Sequence, residues 1–251
     1  MFWGIEIYLN DLCLHRVMNF KEWFTKKRII FVALFFVLVL IGKNINFSPV
    51  IGAENQFFTL YQFFGPTAGL FLGPIFGGIA VFFAQIADFL ILGKEFSLIA
   101  LLRMLPMIFA VIYFANKKKF VGAIVPLLCI ILFIVHPIGQ QAWLFSLYWL
   151  IPILGSLFPR KFLLLKSLGA TFTAHAIGSV VWLYTFPMEA GQWLALIPTV
   201  AYERLIFACG IAVSYVVINT VLDYTVEKFN INLPFKELIL SKKYSLLRLL
   251  N

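Results

Sequence analysis

The chain has 251 residues, of which 62% are hydrophobic, 18% aromatic and only 12% charged. A soluble domain of this length needs far more charge on its surface, so the composition excludes one and leaves an integral membrane protein. The net charge of +9 sits in short basic clusters between apolar runs, the pattern of cytoplasmic loops under the positive-inside rule rather than of a nucleic-acid surface.

In chain order, residues 1–28 read as a cytoplasmic N-terminal segment, 29–222 as a single transmembrane helical domain and 223–251 as a cytoplasmic tail. Met18 opens an ordinary start, MNFKEWFTKKR, which makes 1–17 readable as an upstream extension. Lys26, Lys27 and Arg28 precede an apolar run over 29–41. No small-residue cleavage site follows at Gly42-Lys43-Asn44, so the run reads as an uncleaved first helix with Lys43 snorkelling at its end.

The next apolar stretch, 57–92, is too long for one span, and Gly73-Pro74 is where proline interrupts it. Gly65, Gly69, Gly73 and Gly77 recur here at a spacing of four. In a water-exposed helix each costs about 1 kcal/mol relative to alanine. In lipid the same spacing lets another helix approach closely. Further spans are expected over 96–115, 120–135, 142–158, 162–184 and 193–222. The expected fold is all-α, a polytopic helical membrane protein with about six to eight transmembrane segments. Under that count every basic cluster falls on one side, with both termini cytoplasmic in a multi-pass protein of the cell membrane.

Three segments on the opposite side mix amides, ionisable groups and aromatic rings. The first holds Glu54, Asn55, Gln56 and Gln62; the second His136, Gln140, Gln141, Trp143, Tyr148 and Trp149; the third Glu189, Gln192 and Trp193. Such a mixture suits a pocket in which rings stack on Trp or Tyr while amides fix orientation. An aromatic belt with ordinary loop polarity is the plainer account of any single Trp, and it is the three segments together that point to a ligand site.

Polar residues inside spans are costly and mark function or pairing. Gln85 and Asp88 share a helix face, and Arg103 in the next span is an expected partner for Asp88. Thr171, His175, Ser179 and Trp182 mark one face, either a pocket wall or a hydrogen-bonded seam. Glu203 and Arg204 are adjacent and are expected on different faces, each able to lock a neighbouring helix. Cys13, Cys129 and Cys209 form no disulfide or zinc pattern, and the histidines give no metal motif. There is no G-x-x-x-x-G-K-[ST] loop, H-E-x-x-H or G-x-S-x-G. The expectation is neither an ATPase nor an enzyme, without cofactor or metal.

The stretch FGPTAGLFLGPIFGGIAVFFAQIADFLILG resembles the glycine-rich second and third helices of substrate-binding S components of energy-coupling factor (ECF) transporters. There a short first helix and a long outer loop precede a G-P-x-x-G-x-x-x-G segment ending in an acidic residue, here Asp88. PTVAYERLIFACGIAV also looks like the last helix of some members. The chain departs from the family in its helix count, up to eight against the usual six. It also has Val37 four residues after Ala33, where the first helix of the family carries A-x-x-x-A for docking.

The resemblance implies uptake of a vitamin-like micronutrient, with a membrane coupling subunit and a pair of cytoplasmic ATPases as partners. It makes the glycine face a docking or sliding surface. It places the ligand among Glu54, Asn55, His136, Gln140, Gln141, Trp143, Trp182, Glu189, Gln192 and Trp193. Two rival readings remain at this point. One is a structural scaffold packing a partner helix through its glycine face; the other is a lipid-modifying membrane enzyme with His136 or His175 as acid–base.

Overall fold

The structure is a computed structural model that describes residues 26–50, 56–93, 97–116, 119–157, 162–228 and 241–246. Helix α1 (Lys26–Lys43) is apolar on every side. It buries Phe31, Phe35 and Val39, spaced four apart, and leaves Leu34, Val37 and Ile41 exposed. A helix that is greasy on its outer face has lipid as its solvent. The antiparallel hairpin β1 (Asn46–Pro49) and β2 (Phe57–Thr59) follows, joining Ser48 to Phe58 across a bulge. Next come α2 (Tyr61–Phe64), a 3₁₀ turn, α3 (Ala68–Leu72) and α4 (Pro74–Ile91).

The chain breaks at Gly73-Pro74, where Gly73 takes φ +86°. Only glycine adopts that backbone without strain, and Pro74 at the first helical position restarts the ladder. The chain doubles back here: a Cβ on Gly77 would lie 2.8 Å from the Cα of Gly69. The two glycines therefore meet four residues either side of the turn.

The second half begins with α5 (Leu98–Leu102) and α6 (Leu105–Ala115), separated by a turn at Arg103 and Met104. Helix α7 (Lys119–Val135) leads into short α8 (Pro137–Gln141) and α9 (Trp143–Ser146), then α10 (Leu150–Leu157). Helix α11 (Leu163–Thr185), short α12 (Ala190–Ala195) and α13 (Ile197–Lys228) complete the bundle. Helix α11 packs on both α6 and α13 and is the central post of the fold.

Among the described residues, four stretches are long and apolar enough to cross a membrane: Pro74–Ile91, Leu98–Ala115, Leu163–Thr185 and Ile197–Thr225. Shorter apolar helices lie at Phe31–Lys43, Gly122–Val135 and Trp143–Leu157. The protein is an all-α membrane protein, with the small hairpin as its one departure among the described residues. The expected spans 96–115, 142–158 and 193–222 are each interrupted by a turn or a short helix near the hairpin end of the bundle. Helix α13 also runs unbroken through Asp223 to Lys228. Residues 241–246 return to it: Asn219 donates to the Ser241 carbonyl at 3.0 Å and accepts from the Ser241 N–H at 2.9 Å.

The glycine stripe is used inside the chain. A Cβ on Gly65 would meet Met107 Sδ at 2.6 Å, and one on Gly69 would meet the Val111 carbonyl oxygen at 2.4 Å. Both neighbours belong to α6. With Gly77 closed against Gly69, these three positions present no glycine face to a partner, contrary to the docking and scaffold expectations.

The expected Asp88–Arg103 pair is also corrected. Asp88 lies against Lys43 at 2.6 Å, its side chain 1% exposed. Lys43 therefore turns inward to a buried carboxylate instead of snorkelling. A shared helix face says which way Asp88 points and nothing about which basic residue the fold brings there. Arg103 instead donates to Gln56. Gln85 is buried and donates to the Met104 carbonyl at 3.2 Å, tying α4 to the start of α6.

Candidate functional site

A cavity of about 240 Å³ opens at the hairpin end of the bundle. Its walls come from seven separate places: the hairpin, Gln62 of α2, the turn before α6 with the start of that helix, Phe145 of α9, the second half of α11, the α12 segment and the first two turns of α13. Pro49, Val50, Phe57 and Phe58 form the hairpin wall. The hairpin is anchored on α13 by rings: Phe207 packs against Phe47 and Phe58, both at 5.5 Å between centroids, and Phe63 at 5.3 Å.

Helix α11 supplies His175, Ser179 and Trp182, three residues of the predicted polar face, to the cavity. Trp149 donates its indole N–H to His175 Nδ1 at 3.1 Å. An indole nitrogen can only donate, so Nδ1 accepts and the proton of the neutral imidazole sits on Nε2. That nitrogen lies 3.3 Å from Ser179 Oγ. The face is thus both a hydrogen-bonded seam and a pocket wall. Thr171, one turn further in, is buried and outside the cavity lining.

Glu203 and Arg204 both line the cavity, which corrects the expectation that they diverge. The Arg204 side chain is long enough to fold back, bringing Nη2 to 3.2 Å from Glu203 Oε2. Two aromatic faces hold it there, Phe58 and Phe207, each 4.6 Å from the guanidinium carbon. Stacking on rings is a general habit of the planar guanidinium. The other oxygen of Glu203 accepts from Ser48 Oγ at 2.9 Å. Arg103, across the cavity, sits over the Trp182 ring at 5.9 Å.

The ten residues predicted to hold the ligand separate into groups. Trp182 and Trp193 line the cavity. Glu189 and Gln192 cap each other at the start of α12, with Glu189 N–H donating to Gln192 Oε1 at 2.8 Å, and stand outside the lining. His136 caps α8 by accepting from the Ile138 N–H at 3.3 Å and packs edge-on against Tyr184. Gln140, Gln141 and Trp143 are exposed on the short helices after α7, away from the lining. Glu54 and Asn55 lie outside the described residues.

Of the intramembrane polar set, Arg103, His175, Glu203 and Arg204 line the cavity, whereas Gln85 and Asp88 serve packing elsewhere. Sequence reading had no means to find Trp149 as the partner of His175, or Phe58 and Phe207 as the bed of Arg204. Phe207 is within reach, three residues from Arg204 on one helix face. Compared with known proteins, the chain matches no protein-family model, no curated protein and no solved structure.

Proposed function

We propose that the protein is a membrane-embedded binding subunit that captures a small, water-soluble, vitamin-like molecule for uptake. The observation that carries this reading is the cavity at the hairpin end. It combines apolar and aromatic walls with a few convergent polar groups, the usual composition of a small-molecule site. His175, Glu203 and Arg204 sit in or beside helices apolar enough to cross a membrane, where such residues are expensive and mark ligand pathways.

In this proposal the cavity faces the outside. Lys166 lies at the start of α11 and Lys228 at the end of α13, at the ends of those helices away from the cavity, as the positive-inside rule asks of a cytoplasmic face. Both termini are then cytoplasmic. The chain would need separate subunits for energy, a membrane coupling subunit and an ATPase pair of the ECF kind. Since the glycine stripe is used internally, a coupling subunit would contact another surface.

The test is a thermal-shift screen of the purified chain in detergent against water-soluble vitamins and nucleobase derivatives. A ligand bound only to the native state stabilises it by about 2.7 kcal/mol at a hundred times its Kd. We expect a hit that Glu203→Gln or Trp193→Phe weakens. A well-folded protein indifferent to the whole panel refutes the proposal.

A further inference from the structure

The fully buried unmet polar groups of the cavity wall are all of one kind among the described residues. Among the described residues, Arg204 Nε, Trp182 Nε1 and Trp193 Nε1 have no hydrogen-bond acceptor. All three residues line the cavity, and Arg204 and Trp193 are only 3% and 2% exposed. Each nitrogen is a donor with no capacity to accept. The carboxylate and imidazole acceptors of the wall are by contrast engaged. Glu203 takes Ser48 on one oxygen and Arg204 on the other, and both His175 nitrogens are engaged. Gln62 and Thr199 also line the cavity and can accept, so the surplus that marks the site is one of fully buried donors, which are complementary to a molecule that brings oxygen acceptors.

Charge points the same way. Two guanidiniums, Arg103 and Arg204, face one carboxylate, Glu203. Arg103 bonds the neutral amide of Gln56. One positive charge is therefore left without a carboxylate among the described residues of the wall. Arg103 is exposed, so water screens this charge, and what it offers is attraction for an anion at the cavity rather than relief of a buried charge. One excess charge matches a monoanion. A phosphate monoester, with a charge of about −1.5 to −2 at neutral pH, leaves negative charge over.

Volume sets the size. About 240 Å³ lies just under the roughly 300–1,000 Å³ usual for drug-sized ligands, which favours a single ring system over a flavin or a nucleotide. We infer that the cavity takes a compact monocarboxylate on a flat apolar body, its carboxylate held by Arg204 and the indole N–H groups. This inference rests on the capture reading above. The three donor nitrogens are closed to water in the present state, so binding turns the Trp182 and Trp193 rings and changes tryptophan emission.

The experiment uses the purified full chain and matched probes that differ only in the acid group: nicotinate against nicotinamide, indole-3-acetate against indole-3-acetamide, and benzoate against phenyl phosphate. Tryptophan fluorescence and thermal shift are read together. At least one acid should bind about tenfold or more tighter than its amide, the worth of a charge-assisted hydrogen bond. Arg204→Gln should abolish that preference and Arg204→Lys should keep part of it. If Arg204→Gln does not fold, Arg103→Gln, at an exposed residue, should still reduce the preference. Amides binding as well as acids, phenyl phosphate outcompeting benzoate, or only neutral or cationic vitamins binding would overturn this inference and leave capture standing. If nothing in either panel binds the folded protein, capture fails and takes the inference with it.

Discussion

Trp149 holds His175 in one tautomer: the indole N–H donates to Nδ1 at 3.1 Å and thereby fixes the proton on Nε2, toward Ser179. The two residues are 26 positions apart in the chain, on different helical segments. Trp149 is itself fully buried, with Phe133 set edge-on at 5.1 Å. Trp149→Phe removes the donor and also the second ring of a fully buried indole, so a cavity cost adds to the lost hydrogen bond. The substitution leaves a buried acceptor unmet, at about 1–3 kcal/mol. The expected outcome is a lower melting temperature together with weaker ligand binding. If melting falls and affinity does not, His175 is structural and the cavity wall does not depend on its tautomer.

The adjacent glycines Gly77 and Gly78 separate close approach from mere small size. A Cβ at Gly77 would lie 2.8 Å from the backbone of Gly69, whereas one at Gly78 would meet nothing nearer than Ile108 Cγ2 at 3.6 Å. Gly77→Ala should therefore destabilise by roughly 1–3 kcal/mol or more, since backbone must move. Gly78→Ala should be neutral or stabilising, by up to about 1 kcal/mol from helix propensity. Thermal melts of the two single variants in the same detergent decide this. Equal destabilisation would mean that the hairpin about Gly73 is not as tightly closed as the structure has it.

Much of this was legible in the residues, and the reasons for success and failure differ. Mean hydropathy of +0.96 and the proline at position 74 dictate lipid-facing helices and a break. The spacing of Gly65, Gly69 and Gly77 says that something comes close, yet not that it is α6 and the chain's own return. His175, Glu203 and Arg204 were visible because a polar group in an apolar span has to be accounted for. Gln192 and Glu189 stand outside the cavity lining for a local reason. At a helix start a carboxylate and an amide three apart satisfy each other, so their polarity is spent locally. Asp88 with Lys43, and Trp149 with His175, are pairs made by tertiary packing, which no local spacing encodes.

The Lys43–Asp88 contact ties the end of α1 to α4, with the carboxylate almost wholly buried. Removing one partner of a buried pair is far worse than removing both, because it strands a charge, at about 3–5 kcal/mol. Lys43→Met should lower stability by an amount of that order. The double variant Lys43→Met with Asp88→Leu should recover a substantial part of the loss. A double variant no better than the single would show that Asp88 has its main partner elsewhere.

Ser48 and Glu203 make the contact on which the cavity wall depends. The hydroxyl donates at 2.9 Å and joins β1 to the second turn of α13 across 155 positions of sequence. The hairpin has only two short strands, and two strands alone are marginally stable. It is therefore held by what it leans on: the Phe207 ring cluster, Arg204 stacked on Phe58, the Arg103–Gln56 bond and this bond from Ser48. Ser48→Ala leaves the rings in place and cuts the bond, while Arg204 still neutralises Glu203. A hydrogen bond to a charged group contributes about 1.5–3 kcal/mol when buried, and this one is only partly so. We therefore expect a small loss of melting temperature but a ligand off-rate faster by about tenfold, with the on-rate little changed, as is usual when an interface loses one contact. Stopped-flow tryptophan fluorescence with the best ligand of the screen measures both rates. An off-rate equal to wild type would show that the Ser48–Glu203 bond does not hold the ligand in.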